Sequence, residues 1–138
     1  MSEFWHANAP DDWRLGALAI MREARRCRFQ TLTKRLKNIA PFLDGAGVTL
    51  PPNFWADATI ERGDFGHRID TLHDMAAELR FLSIEPLIRP IGQLDLAGIH
   101  WVIVGGESGP GARHWQPRGF REIRDHYVGQ HVPLFVKQ

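Results

Sequence analysis

Residues 101–113 read WVIVGGESGPGAR. Four apolar residues, three of them β-branched, stop abruptly at two glycines, a carboxylate and a hydroxyl. A run this short, bounded by turn formers, reads as a buried strand. The adjacent glycines Gly105 and Gly106 let main chain approach a ligand closely, while Glu107 and Ser108 offer acceptors and a donor. The plainer reading is a glycine-rich turn that only reverses the chain, since the spacing matches neither the dinucleotide nor the phosphate-loop motif.

The same arrangement of an apolar strand with a polar end recurs along the chain. Phe29 to Thr33 leads into Lys34 and Arg35, Phe54 to Ile60 into Glu61, Leu79 to Ile84 into Glu85, and Pro133 to Val136 into Lys137 and Gln138. Helical spacing fills the intervals. Asn8 or Ala9 can cap a helix with Pro10, Asp11 and Asp12 in its first turn, on which Trp13, Ala17, Ile20, Met21 and Ala24 recur as one stripe. Lys34 to Leu43 places Leu36, Ile39 and Leu43 on one face with Gly45 as its stop. Asp64 can cap a helix buried through Phe65, Ile69, Leu72 and Ala76, and Pro117 opens another carrying Phe120, Ile123 and Tyr127. Residues 85–99 are too broken for a helix.

Short strands of nearly continuous apolar character, separated by helices, imply an α/β protein with a parallel sheet covered on its outer face. The expected fold is a partial TIM-type (β/α) barrel, or an open parallel sheet of about five to six strands with helices outside. With 138 residues the chain makes one domain, 1–138, and falls short of the roughly 250 residues of a complete eight-unit barrel.

Composition narrows the function classes. A formal net charge of +1 gives no electrostatic footprint for nucleic acid. The basic group Arg22, Arg25, Arg26 and Arg28 falls at a helix end, where the dipole explains it. No apolar run approaches a membrane span and the first residues lack signal-peptide order, so a soluble cytoplasmic protein is expected. The single cysteine, Cys27, excludes an internal disulfide and a cysteine-based metal site, and no histidines stand four residues apart on a helix, so no metal site is expected. Trp5, Trp13, Trp55, Trp101 and Trp115 read as core and rim packing rather than a base-stacking platform.

In any parallel α/β architecture ligands bind beyond the carboxyl ends of the strands. The candidate ligand-binding residues are therefore Lys34, Arg35, Thr59, Glu61, Ser83, Glu85, Gly105, Gly106, Glu107 and Ser108, with Thr33, Lys137 and Gln138 at further strand ends. Singly each is explained by a helix cap or a surface ion pair; five strand ends of this kind in succession describe a polar pocket. No catalytic residue is assigned, because no nucleophile arrangement can be built around Cys27.

The ordered series FQTLTKR (29–35), NFWADATIE (53–61), LRFLSIEPLIRPI (79–91), WVIVGGESGPGAR (101–113) and VPLFVKQ (132–138) resembles the C-terminal part of an uncharacterised family of phage and prophage proteins related to radical S-adenosylmethionine enzymes. The resemblance implies a partial TIM-type barrel, a phage or prophage origin in a bacterial host, and S-adenosylmethionine as a candidate ligand. It also brings a departure: relatives carry a segment of clustered cysteines that this sequence lacks, so no iron–sulfur cluster is expected in this chain and radical catalysis by it alone is not expected. Asp57 and Arg89 stand where the family has small residues and would add charge near the rim. Two functions follow. One is a remnant or partner subunit of a radical enzyme that binds a small or nucleoside-like ligand. The other is a non-enzymatic phage protein that engages a host or anti-phage defence protein through its rim. The open edges of an incomplete barrel predict a homodimer or a covering protein partner.

Overall fold

Parallel strands need a crossover between each pair, and the direction of those crossovers decides whether one face or both are covered. In the computed structural model, which describes residues 4–87, 91–113 and 117–137, five strands lie in sequence order: β1 (Phe29–Gln30), β2 (Phe54–Thr59), β3 (Leu79–Ile84), β4 (Trp101–Gly105) and β5 (Leu134–Lys137). All four pairings are parallel. A doubly wound sheet reverses its strand order; this one does not, and it curls into half a barrel with helices on the convex side. The helices are α1 (Asp11–Glu23), α2 (Ile39–Ala46), α3 (His67–His73) and α4 (Pro117–Val128).

Alternation along the strands sorts the side chains. Phe54, Ala56, Ala58, Leu82, Ile84, Val102 and Val104 face the helices and form one core with Leu36, Ile39, Ile69, Leu72, Ile123 and Tyr127. Register places the alternate residues on the concave face: Trp55, Asp57 and Thr59 on β2, Phe81 and Ser83 on β3, Trp101, Ile103 and Gly105 on β4. There Trp101 meets Trp55 edge-on at 6.4 Å and Phe81 at 5.0 Å between ring centroids. Trp5 is buried in the helix-side core and donates its indole N–H to the Thr31 hydroxyl at 3.0 Å.

The helices depart from the sequence expectation in instructive ways. On α1 the buried residues are Arg14 and Leu18, whereas Trp13 and Ile20, expected inside, are 74% and 66% exposed. Arg14 can be buried because its guanidinium is satisfied: it donates to the carbonyls of Phe4 and His6 and to Asp11, and lies 5.0 Å from the Phe42 ring centroid. Counting apolar residues alone therefore rotated the helix. The cap is Pro10 rather than Asn8 or Ala9. β1 is only two residues long, being an edge strand. A short 3-10 turn, Leu36–Asn38, precedes α2, which runs past Gly45 to a left-handed Gly47 at φ 63°. Asp64 lies in a 3-10 turn, Gly63–Phe65, rather than capping α3, and Ala76 is exposed beyond that helix. Residues 91–99 contain no helix, yet Ile91, Leu94, Leu96 and Ile99 are buried, and Gln130 fixes the loop by accepting from Leu96 N–H and donating to the Leu94 carbonyl.

Asn53, just before β2, is buried and donates its side-chain amide to the carbonyls of Met21, Ala24 and Cys27 at 2.8, 3.0 and 3.1 Å. It fastens the end of α1 to the sheet.

Candidate functional site

Because every strand points the same way, the residues that follow them share one rim. The loop after β1 is stitched to β2: Thr59 N–H donates to the Thr33 carbonyl at 3.0 Å, and Thr33 N–H donates to the Asp57 carboxylate at 3.0 and 3.3 Å. Fixing Thr33 delivers Lys34 to Glu61, with which it forms an ion pair. Glu61 also has the Arg68 guanidinium 3.6 Å away. Arg68 in turn donates to the Thr59 carbonyl and sits 4.1 Å from the Phe65 ring centroid, while Arg62 lies 5.1 Å from that centroid.

Across the rim Glu107 accepts three hydrogen bonds from Arg113: Nε at 2.9 Å, Nη2 at 2.8 Å and the backbone N–H at 2.9 Å. These bonds hold the Glu107 carboxyl down at about 2 and close the 107–113 loop on itself. Lys34, Glu61, Arg62, Phe65, Pro86, Glu107 and Arg113 line an open groove of about 570 Å³, within the size range of ligand pockets. Glu85 lies on its β4–β5 side, accepting from the Ser83 hydroxyl at 3.3 Å with Lys137 Nζ 3.4 Å away. The carboxylate lies over Gly105, where a Cβ would overlap it. Only glycine leaves Glu85 that seat.

Residues 1–138 match a family model described as a protein of unknown function, DUF5131. The chain belongs to the DUF5131 family. No curated protein and no solved structure matches it.

In this DUF5131 chain three of the expected site residues, Lys34, Glu61 and Glu107, face the groove together. Glu85 borders it. Thr59 and Ser83 do not reach it: both are buried, at 7% and 1% exposure, Thr59 against the deeper Asp57 carboxylate and Ser83 beneath that of Glu85. Gly105 and Gly106 flank a closed crevice between β4 and β5 beside Lys137, away from the groove lining. Ser108 is exposed on the 107–113 loop, and the Arg35 backbone N–H donates to the Thr33 hydroxyl. Asp57, expected near the rim, is instead 1% exposed inside the concave face. Burial raises its pKa well above the ordinary aspartate value, against the opposing hydrogen bonds of Thr33 N–H and the Thr59 hydroxyl. It cannot reach a docking protein from there. Arg89, Trp115 and Gln138 lie outside the described residues.

Arg62, Phe65, Pro86 and Arg113 line the groove without having been singled out as binding residues. Arg62 and Pro86 follow directly on strand-end carboxylates, and Arg113 ends the glycine-rich segment six residues after Glu107. The loop positions just past each strand end were the signal. Cys27 is exposed in the turn that precedes β1, at the opposite end of the strands from the groove. One cysteine there supplies no ligand set for an iron–sulfur cluster at this rim. Among the described residues no helix is long and apolar enough to cross a membrane.

Proposed function

We propose that this chain binds a small zwitterionic, nucleoside-like ligand of the S-adenosylmethionine type in the rim groove, as a remnant or partner subunit of a radical enzyme. The observation that carries the reading is the pairing of opposite charges across one ligand-sized groove, each held in place by the fold: Lys34 and Glu61 on one side, Glu107 and Arg113 on the other. An amino-acid end carries an ammonium for Glu61 or Glu107 and a carboxylate for Lys34, Arg62 or Arg113. Phe65 and Pro86 offer apolar surface to a ring system. The motif resemblance supports the same ligand class. Such a ligand would be bound and oriented here, and cluster-dependent cleavage would need cysteines from another polypeptide.

Isothermal titration with S-adenosylmethionine tests the reading. Binding in the low-micromolar range is expected, weakened about 10- to 100-fold by Glu61→Gln and abolished by Glu107→Ala. No heat at millimolar ligand, or binding that neither variant alters, would remove it. The edges of the half barrel, β1 and β5, we also read as paired with further protein, because unpaired strand edges are poor solvent surfaces.

A further inference from the structure

A buried carboxyl is costly, and a fold keeps one where a cheaper residue would leave something else out of place. Asp57 is 1% exposed in the middle of β2, in register with Phe81 of β3, which is itself in register with Trp101 of β4. An apolar side chain would suit that layer better. What the carboxyl holds there is Thr33, whose N–H it accepts at 3.0 and 3.3 Å.

The geometry of that bond is unusual for a sheet. The β1–β2 register pairs Phe29 with Phe54 and Gln30 with Trp55, and continued along the chain it sets Thr33 opposite Ala58. A parallel ladder at that position joins Thr59 N–H to the Thr33 carbonyl and Thr33 N–H to the Asp57 carbonyl. The first bond is present, at 3.0 Å. The second is diverted to the Asp57 side chain, which reaches farther than its carbonyl and draws Thr33 toward the concave face. Thr33 is 1% exposed and its hydroxyl accepts from Arg35 N–H at 3.0 Å, so the turn out of the sheet is fixed on both sides of Lys34. The Lys34–Glu61 ion pair does not hold itself: the lysine side chain is 46% exposed, and pairs so open to water contribute little.

We propose that Asp57 is a positioning residue of the rim groove: by taking Thr33 N–H off the ladder it aims Lys34 at Glu61, and so sets how tightly the groove holds a ligand that Asp57 does not touch. Asp57 is absent from the groove lining, whereas Lys34 and Glu61 form one wall of it. For its ligand this inference rests on the groove reading above; the placement of Lys34 stands apart from it. Burial favours the neutral form of the Asp57 carboxyl, and asparagine is the isostere of that form, keeping an acceptor for Thr33 N–H. Leucine keeps the bulk and has no acceptor.

The chain's three lysines, Lys34, Lys37 and Lys137, supply the test with its own controls. Acetylation by N-hydroxysuccinimide acetate is followed at each by peptide mass spectrometry, since an amine held against a carboxylate reacts more slowly than one released. Asp57→Leu should speed Lys34 to the rate seen in Glu61→Ala, with Lys37 and Lys137 unchanged, and should weaken S-adenosylmethionine about 10-fold in titration calorimetry. Asp57→Asn should restore both. If Asp57→Leu fails to fold, Asp57→Val, a smaller apolar strand former, takes its place. Lys34 unmoved by the apolar variant, all three lysines speeding together, or Asp57→Asn behaving as Asp57→Leu does would each overturn the proposal. A wild type silent to S-adenosylmethionine, with Lys34 responding as expected, would sink the ligand reading and leave the positioning intact; binding that Asp57→Leu does not weaken would do the reverse.

Discussion

Replacing Asn53 by alanine removes both protons of the side-chain amide, which are shared among the carbonyls of Met21, Ala24 and Cys27. Each proton is worth about 1 kcal/mol net, leaving the Met21 and Ala24 carbonyls unpaired adds about 1 kcal/mol, and the carbonyl of exposed Cys27 can turn to water instead. The Asn53 side-chain oxygen is buried without a partner, so its loss returns about 1 kcal/mol. The balance is a loss of roughly 1–2 kcal/mol, or a fall in Tm of about 3–10 °C for a domain of this size. Aspartate at 53 separates the cause from simple truncation: it keeps the shape, lacks the donors and turns a charge toward three carbonyls. Thermal unfolding and urea titration should therefore rank wild type above Asn53→Ala and Asn53→Ala above Asn53→Asp. An aspartate variant as stable as wild type would refute the assignment of Asn53 as the fastener of α1.

Asp57 makes stability depend on pH: its folded pKa lies above its unfolded one, so its contribution is full below the ordinary aspartate range and is lost as pH rises through the raised value. Asp57→Asn should flatten that part of the stability–pH curve, and an unchanged curve would show that another group produces it. Glu107 works in the opposite sense, since a carboxyl held at about 2 favours the fold above its unfolded pKa and loses that contribution as pH falls toward about 2. Glu107→Gln should release the 107–113 loop, seen as faster amide exchange at residues 108–113 with the strands unaffected. Gly47→Ala, at φ 63°, should cost about 1 kcal/mol in urea unfolding, and a neutral outcome would mean that α2 can end elsewhere.

What could be read from the residues divides along physical lines. β2, β3 and β4 stand out because a central parallel strand is buried on both faces and reads as an apolar run. β1 was read as longer than its two residues because an edge strand pairs on one side only and leaves Thr31 to Thr33 to be held by Trp5, Asp57 and Thr59 instead. Arg14 was invisible as a core residue, since its burial depends on carbonyls of the preceding loop, a tertiary fact. In the site, Lys34 follows β1's extended segment and Glu61 lies two residues past β2, and that position alone brings both to the groove lining. Thr59 and Ser83 share the strand-end pattern, although strand alternation turns both inward beneath the rim. Arg113 reaches the groove through a loop closure that no local pattern announces.

Each strand pairs only with its neighbours in sequence, at separations of 20 residues between Phe81 and Trp101 and 32 between Val102 and Leu134. Assembly can then spread outward from the middle one unit at a time, as in a solenoid, with no distant segment to wait for. By the same logic a terminal unit could be grafted on or trimmed with repair confined to a single seam.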